Sequence, residues 1–387
     1  MSVRILHTAD LHIGLKFTRG GYPPDLQDLL VDQRLETLRG LVETANEREC
    51  HLFVVAGDLF DHLRVAKGVV RQAGEILSQF EGVVAILPGN HDYAQEKDSF
   101  WPDFMDALGE GHHLLRQEEP CDLTSQGIPV ILFPGVCMSR HSEQNAVGWV
   151  AEASATLSPG TEVHRIGVAH GSLEGLSPDF DGNYFPMTEG ELLATGLDLW
   201  LLGHTHIRHP DRHALDGDRI LFPATPEPDG FDCRHGGHAW LVQVSDSGAV
   251  SGESLHTGTF RFHKLERTLT GEADMEALRA EFAGFDPQHD LIKLRLEGRL
   301  PSHLFETRQD LIRHLETRVL YLEPDLSGLV KEIRLDDIEQ EFTEGSFPYR
   351  LLTGLAGEGG DPEALQLAWD LVKEARSQEV FFYCENA

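Results

Sequence analysis

The stretch LFVVAGDLFD, residues 52–61, decides the fold. Its first half, Leu52–Ala56, is a continuous apolar run that ends at Gly57-Asp58. An apolar run without alternating polar residues is typical of a strand that is buried on both faces. The stretch VVAILPGNHD, residues 83–92, repeats the pattern, because Val83–Leu87 is apolar and is followed by Pro, Gly, Asn, His and Asp. Each run predicts a buried strand with polar side chains at its carboxyl end.

Three further apolar runs end in the same residue types. Val3–Leu6 precedes Asp10 and His12, Arg165–Ala169 precedes His170, and Leu197–Leu202 precedes Gly203-His204-Thr205-His206. Apolar residues at helical spacing predict helices between these strands, over Asp28–Glu49, Val65–Phe80 and Asn145–Leu157. The alternation of strands and helices predicts an α/β domain with partly parallel strands. Ligand sites in such sheets lie beyond the carboxyl ends of the strands.

The composition excludes several classes of protein. The chain has 387 residues with 64 acidic and 32 basic side chains, which give a net charge of −32. Such a charge argues against a protein that holds nucleic acid by bulk electrostatics, although bound metal ions can supply local positive charge. No apolar run approaches the roughly 18 residues of a membrane span, and we expect no signal peptide. Five cysteines without a C-x-x-C pair indicate a reduced, cytoplasmic protein.

The chain has two predicted boundaries. Residues 245–259 are rich in Ser, Gly and Thr, and a strand–helix–strand–helix pattern follows them: Arg261–Leu269, Met275–Phe282, Leu291–Glu297 and His303–Val319. This pattern predicts a smaller α/β module over residues 259–354, after a first domain over residues 1–258. Residues 355–362 predict a linker, and a helix over Glu363–Arg376 is predicted within the C-terminal segment 355–387.

Seven strand-end side chains form a set of candidate metal ligands: Asp10, His12, Asp58, Asn90, His170, His204 and His206. The set offers carboxylate, amide oxygen and imidazole without thiolate, which suits Mn²⁺, Fe²⁺ or Zn²⁺ rather than a structural zinc. Seven ligands exceed the need of one ion, but two ions that share a carboxylate would use all of them. Two ions about 3.5–4 Å apart form the usual clamp for hydrolysis of a phosphoryl bond. The sequence therefore predicts two divalent ions and a phosphoester hydrolase.

The motifs resemble those of the calcineurin-like metallophosphoesterase superfamily: Asp10-x-His12, Gly57-Asp58-x-x-Asp61, Gly89-Asn90-His91-Asp92, His170 and Gly203-His204-x-His206. Their flanks, in residues 5–14, 55–61 and 87–92, resemble the SbcD family of DNA-repair nucleases. The resemblance implies a layered α-β-β-α sandwich for residues 1–258 and a capping or DNA-binding-like module for residues 259–354. One departure is Ala224-Thr225, where family members usually have a Gly-Ser pair.

The resemblance also implies a role for each motif residue. Asp10, His12 and His206 would bind one metal ion, and Asn90, His170 and His204 would bind the other, with Asp58 bridging the two. His91 would be the catalytic residue that contacts the scissile phosphate and protonates the leaving oxygen. Asp92 would orient His91, and Asp61 would lie behind the ligands, at a position where some relatives have a histidine.

The function implied by the resemblance is Mn²⁺-dependent exonuclease and endonuclease activity on DNA in double-strand-break repair. The family's partner is an SMC-like coiled-coil ATPase of the SbcC type, and its members form homodimers. This chain has no Walker A motif, so ATP dependence would need the partner. Residues 363–383 are the candidate docking segment, and the alternative is a helix that packs on its own domain.

Two other functions remain open. The first is a phosphodiesterase or phosphatase for small molecules such as cyclic nucleotides, which would not need the extension beyond residue 260. The second is a non-catalytic scaffold with a dead site, which would be free to lose ligands.

Overall fold

A computed structural model describes residues 2–94, 100–156, 163–177, 179, 181–357 and 360–384, with side chains as far as residue 376. The chain divides into two compact units, Met1–Arg261 and Phe262–Ala387. The first unit has two sheets and flanking helices. Its strands are β1 (Val3–Thr8), β2 (Leu52–Ala56), β3 (Val83–Leu87), β4 (His113–Leu114), β5 (Cys121–Asp122), β6 (Val130–Gly135), β7 (His164–His170), β8 (Leu199–Gly203), β9 (Arg208–His209), β10 (Ala214–Asp216), β11 (Ile220–Pro223), β12 (His238–Val244) and β13 (Val250–His256). Its helices are α1 (Pro24–Glu47), α2 (Lys67–Leu77), α3 (Trp101–Leu108), α4 (Val150–Thr156) and α5 (Glu189–Ala194).

Both sheets of the first unit are mixed. Across the described ranges, one sheet has the order β10-β13-β12-β1-β2-β3-β4 and the other the order β5-β6-β7-β8-β11-β9. The central strands β1, β2 and β3 are parallel, as are β6, β7 and β8. Their carboxyl ends therefore lie at one edge of each sheet.

The core explains why the central strands are apolar on both faces. Ile5 and Val54 of the first sheet share one buried cluster with Val168 and Leu201 of the second, so the two sheets pack face to face. The opposite face of the first sheet packs on α1, α2 and α3, and that of the second packs on α4 and α5. This is the predicted α-β-β-α sandwich, which the structure confirms.

Several element bounds differ from the predictions. Strands β2 and β3 agree residue for residue, whereas α1 begins at Pro24 rather than Asp28. Proline suits the first turn of a helix, because its φ is preset and its missing N–H has no partner there. Residues 245–259, predicted to form a boundary, contain strand β13, which pairs antiparallel with β12. The helix predicted over Asn145–Leu157 begins only at Val150.

The second unit contains a three-stranded sheet in the described part of the chain. Its elements are β14 (Arg261–Thr268), α6 (Glu272–Phe282), β15 (Asp290–Leu300), α7 (Ser302–Glu306), α8 (Arg308–Glu316), β16 (Tyr321–Lys331), α9 (Leu335–Glu341), α10 (Phe347–Leu355) and α11 (Pro362–Cys384). The strand order of this sheet is β14-β15-β16. Helices α6 and α8 pack on one of its faces. The helix predicted over His303–Val319 is two helices, α7 and α8. Helices α9, α10 and α11 share a separate apolar cluster.

Two expectations from composition concern thiols and membranes. Cys50, Cys121, Cys137 and Cys233 are free thiols, and the side chain of Cys384 lies outside the described residues. Among the helices that the structure describes, none combines the length and the hydropathy needed to cross a bilayer.

Candidate metal centre

The predicted ligands converge where the carboxyl ends of the two sheets meet. Asp10 and His12 follow β1, Asp58 follows β2, Asn90 follows β3, His170 ends β7, and His204 and His206 follow β8. Three overlapping groups of these side chains have ligand atoms within 4.8 Å of one another. The groups are Asp10 with His12 and His206, His12 with Asp58 and His91, and Asp10 with Asp58 and His170.

One half of the site contains two facing histidines. The Nε2 atoms of His12 and His206 lie 3.1 Å apart. A carboxylate oxygen of Asp10 lies 3.6 Å from Nε2 of His206. Asp58 Oδ2 lies 3.7 Å from Nε2 of His12. Two imidazole nitrogens at this separation need a proton or a cation between them.

The other half is centred on Asn90. Its Oδ1 lies 3.0 Å from His170 Nε2 and 3.1 Å from His204 Nδ1. Asp58 Oδ2 lies 3.3 Å from the same His170 nitrogen, so Asp58 stands between the two halves. The carbonyl oxygen of Ala56 lies 2.8 Å from Nδ1 of His170 and accepts the proton on that nitrogen, so Nε2 faces the site. Oxygen and imidazole nitrogen atoms therefore face one another in both halves.

The backbone at the site adopts an uncommon conformation. Asp10, His12, Asp58, His204 and His206 all have φ between 47° and 108°. This left-handed region costs a residue with a side chain about 1–2 kcal/mol. Five such residues in one site indicate that local strain is accepted in order to aim these side chains inward.

Two motif glycines leave space for ligands. A Cβ at Gly57 would lie 2.0 Å from Nδ1 of His170, and one at Gly89 would lie 2.2 Å from Oδ1 of Asp58. Neither position can therefore hold a side chain without displacing a ligand.

Buried charges dominate the electrostatics. Burial opposes ionisation of Asp58, but His170 and His12 hold the pKa of its carboxyl well below the usual range. Burial lowers the pKa of His170, yet the Asp58 carboxylate outweighs it and raises that pKa to about 9. Asp10 likewise raises the pKa of His206 to about 9 against the effect of burial. Burial and the neighbouring His170 lower the pKa of His204 to about 3.

These residues fit a binuclear metal site. The donor atoms are two buried carboxylates, one amide oxygen and four imidazoles, which suit borderline divalent ions. Asp58, which is 2% exposed, is placed to serve both halves.

His91 lies at the exposed side of this site. Its backbone N–H donates to Asp58 Oδ1 at 2.9 Å, and its Nδ1 lies 2.8 Å from the carbonyl oxygen of Asp61. The side chain is 30% exposed, so the ring can be reached from solvent. The expectation that Asp92 orients His91 is wrong. The buried Asp92 carboxyl group accepts the N–H groups of Gly89 and Phe60, so it ties the loop after β3 to the loop after β2.

Sequence reasoning missed two residues at the site. Asp229 Oδ2 lies 3.3 Å from Nδ1 of His206, and His235 Nε2 lies 2.9 Å from the carbonyl oxygen of His206. Both belong to the loop between β11 and β12, which has no apolar periodicity. Asp61, expected behind the ligands, has Oδ1 3.4 Å from Nδ1 of His12.

A cleft of about 2190 Å³ opens beside His204 and His206. Its lining contains eight acidic residues and two arginines, Arg208 and Arg234, so its charged side chains are mostly acidic. The acidic residues are Glu143, Glu174, Asp179, Asp181, Glu191, Asp211, Asp229 and Asp232. The cleft is therefore a poor path for a polyanion.

The sandwich and the His/Asp site together define a metal-dependent phosphoester hydrolase. The chain belongs to the calcineurin-like phosphoesterase family, whose family model matches residues 3–208. It is 27% identical to the DNA double-strand break repair protein Mre11 of Methanopyrus kandleri, over 85% of this chain and 76% of that protein. It is 24% identical to the Mre11 protein of Archaeoglobus fulgidus, over 94% and 83%. It is 23% identical to the uncharacterized metallophosphoesterase YhaO of Bacillus subtilis, over 86% and 81%.

Proposed function

We propose that this protein is a two-metal, Mn²⁺-dependent phosphodiesterase that cleaves DNA as an exonuclease and endonuclease in double-strand-break repair. The observation that carries this proposal is the convergence of seven ligand side chains with His91 at their open side. The similarity to the two proteins named Mre11 extends beyond residue 208, where the phosphoesterase match ends. A small-molecule phosphatase would not need that extension, so its presence favours DNA.

The residues divide the chemistry between them. Asp10, His12 and His206 would hold one ion, Asn90, His170 and His204 the other, and Asp58 both. A pair of divalent ions, when bound, supplies an activated water and neutralises charge on the phosphoryl oxygens. Because the carbonyl of Asp61 takes the Nδ1 proton of His91, Nε2 is the atom that exchanges a proton with the substrate. An imidazolium there contacts a phosphate oxygen and protonates the leaving oxygen.

The protonation of His91 depends on the substrate. Burial lowers the pKa of His91, and the neighbouring His12 lowers it further against the opposing charge of Asp58. An anionic phosphate beside the ring favours the charged form. His91 would therefore gain its second proton as the substrate binds, which suits a general acid.

A local basic surface supports an anionic substrate despite the net charge of −32. Lys16 and Arg19 follow the β1 motif and Arg64 follows the β2 motif, and the two segments lie side by side through the bridge from Ile13 to Phe60. All three cations are exposed, and within the described part of the chain none forms an ion pair. A DNA backbone would therefore cross this surface rather than the acidic cleft.

The test uses DNA and a small diester in parallel. The full chain is incubated with Mn²⁺ and end-labelled single- and double-stranded DNA, or with bis-p-nitrophenyl phosphate. A nucleotide ladder that is absent with His91→Ala supports the nuclease. Hydrolysis of the diester with DNA left intact favours the small-molecule alternative. If neither DNA nor the diester is hydrolysed and the protein binds no metal, the scaffold is favoured.

A charge variant separates the two substrates further. Replacing Lys16 and Arg64 together by serine should slow DNA cleavage about ten-fold in low salt and leave diester hydrolysis unchanged. Lys67→Ser is the matched control, since Lys67 is exposed but paired with Asp103 at 3.0 Å. Equal loss with the control would remove the argument from the basic surface.

We also propose an SMC-like coiled-coil ATPase of the SbcC type as partner, with α11 as its docking helix. Leu365 of α11 packs in the cluster of α9 and α10, whereas Leu367 and Leu371 are 63% and 56% exposed. One face thus packs within the unit while another stays open to a partner. The apolar residues Val380, Phe381 and Phe382, which contributed to this prediction, lie outside the described side chains.

The docking proposal has a direct test. Leu367→Asp with Leu371→Asp should abolish capture of the ATPase in a pull-down without changing the thermal stability of the chain. Unchanged capture, also after deletion of residues 363–387, would remove the docking role. Homodimerisation, a further expectation from the family, is measured by sedimentation of the purified chain.

A further inference from the structure

Two carboxylates stand behind the two facing histidines in the same way. Asp61 Oδ1 lies 3.4 Å from Nδ1 of His12, and Asp229 Oδ2 lies 3.3 Å from Nδ1 of His206. On the opposite side of each ring, the two Nε2 atoms face each other at 3.1 Å. The order is therefore carboxylate, imidazole, imidazole, carboxylate, and the gap is in the middle.

The proton positions follow from this order. A neutral imidazole carries one proton, and a carboxylate opposite Nδ1 favours that proton at Nδ1. Nε2 then presents a lone pair. If one ring carried its proton at Nε2 instead, the two histidines could bond to each other, but the bare Nδ1 of that ring would face a carboxylate. With an Nδ1 proton held by each carboxylate, two neutral rings present two Nε2 lone pairs to each other, and only a further proton or a cation can occupy the gap between them.

The loop that carries Asp229 is held in place by buried contacts. Glu227, two residues earlier, is 2% exposed and accepts the backbone N–H groups of Thr259 and Phe260 and the hydroxyl of Thr37. Thr37 belongs to α1, so the loop is bound to the helix that covers the first sheet. Asp229 is thus fixed relative to His206 by the core rather than by the cleft.

The buried Arg34 lies below the same residues. It is 1% exposed, and its Nη1 donates to the carbonyl of Leu11, between the ligands Asp10 and His12, at 2.6 Å. Its guanidinium is thus an opposite charge for the carboxylates of Asp229 and Asp61, which stand behind the two histidines.

We propose that Asp61 and Asp229 are a matched pair of positioning residues, each of which holds the Nδ1 proton of one histidine so that both Nε2 lone pairs meet one divalent ion. This inference rests on the metal-dependent function proposed above. It adds the residues that set the affinity of one of the two metal positions. Asp229 comes from a loop outside all of the sequence motifs.

The test compares three substitutions of Asp229 in the full chain. Asp229→Asn has nearly the same shape, but its amide group can donate to Nδ1 of His206 and so move the ring proton to Nε2, where it blocks the ion. Asp229→Ala removes the carboxylate without adding a donor. Asp229→Glu keeps the acceptor. Mn²⁺ affinity, measured by calorimetric titration of metal-free protein, should fall in the order wild type, Glu, Ala, Asn.

The expected loss for Asp229→Asn is ten-fold to a hundred-fold at one of two sites, as for other carboxylates behind histidine ligands. Asp61→Asn should weaken the same site. Asp181→Asn is the matched control, because it removes the same charge from an exposed position in the same cleft. A purely structural role predicts the opposite order, with Asn close to wild type and Ala weakest.

The outcomes separate this inference from the proposed function. Tight Mn²⁺ binding by Asp229→Asn, or an equal loss with Asp181→Asn, overturns the positioning role, whatever the chain does to DNA. Two weakened Mn²⁺ sites instead of one overturn the assignment to a single ion. Wild-type protein that binds two ions but leaves DNA intact overturns the nuclease and leaves the positioning role to be decided by the affinity order. If Asp229→Ala fails to fold, the comparison of Asn with Glu decides alone.

Discussion

His12 and His206 are 194 residues apart in the sequence, and their Nε2 atoms lie 3.1 Å apart at the centre of the site. Hydrophobic burial brings their strands together, but it does not favour two imidazole nitrogens at this distance. A divalent ion that binds both removes the conflict and stabilises the folded chain, because the unfolded chain does not hold the ligands together.

The first prediction therefore concerns metal-dependent stability. Mn²⁺ at 100 times its dissociation constant should stabilise the wild-type chain by about 2.7 kcal/mol for each site, and a chelator should reverse the effect. His91→Ala should keep this stabilisation while losing turnover. Asp58→Ala should lose it, because Asp58 lies between both halves of the site. Thermal melting with and without Mn²⁺ measures both, and a full shift with Asp58→Ala would contradict the bridging role.

The second prediction uses glycine in the β3 motif. Gly89→Ala should abolish Mn²⁺ binding, because the new Cβ would lie 2.2 Å from Oδ1 of Asp58 and 2.4 Å from its backbone nitrogen. We expect unfolding to become easier by about 1–3 kcal/mol as well. Gly40→Ala is the control: Gly40 lies within α1 with no atom within 4 Å of its added Cβ, and alanine should stabilise the helix by about 0.5–1 kcal/mol. Urea unfolding compares the two, and normal metal binding by Gly89→Ala would refute the crowding argument.

The third prediction concerns Ala224, a position where the family resemblance implies a glycine. Ala224 has φ of 65°, a conformation that costs alanine about 1–2 kcal/mol and glycine very little. Glycine relieves this strain but loses about 0.5–1 kcal/mol in entropy and about 0.8 kcal/mol for the buried methyl group, so Ala224→Gly should leave the free energy of unfolding within about 0.5 kcal/mol of wild type. Ala280→Gly, at an exposed position inside α6, should instead lower it by about 1 kcal/mol. A loss with Ala224→Gly as large as that with Ala280→Gly would show that the backbone at residue 224 is unstrained.

The sequence allowed the central strands and their ligands to be predicted because both depend on local pattern. An unbroken apolar run such as Leu52–Ala56 fits only a strand covered on both faces. Because neighbouring strands of this kind are parallel, their carboxyl ends lie at the same edge of the sheet. The ligands after each run could therefore be expected to meet. The backbone conformation that directs the ligand side chains into the site, such as the φ of 108° at His204, has no sequence signal other than the neighbouring glycine.

Asp229 could not be predicted for a different reason. Its position depends on bonds that its neighbour Glu227 makes with residues distant in the sequence, Thr37 and Thr259. Asp92 shows the converse error, since the resemblance implied that its side chain orients His91. Its buried oxygens are instead satisfied by the nearest backbone N–H groups, as buried acceptors must be.

The fourth prediction concerns His7, a titratable group of the core that the mechanism does not use. Its side chain in β1 is fully buried, and burial lowers the pKa of the imidazole from 6.5 to about 3. As the pH falls, the unfolded chain therefore takes up this proton before the folded chain does. The contribution of neutral His7 to the free energy of unfolding is fully present above pH 6.5 and is lost as the pH falls toward 3. Between pH 7.5 and pH 5.5 the loss from this one group amounts to about 1.4 kcal/mol.

A variant without the ring should not show this part of the pH dependence. His7→Leu, which has a similar volume and no titratable group, should gain about 1.4 kcal/mol relative to wild type between pH 7.5 and pH 5.5. His213→Gln, at an exposed position, should follow the wild-type curve. Urea unfolding of metal-free protein at several pH values measures the difference. Parallel curves for His7→Leu and wild type would mean that His7 is protonated inside the fold, where the backbone of Leu202 on the second sheet accepts a ring N–H.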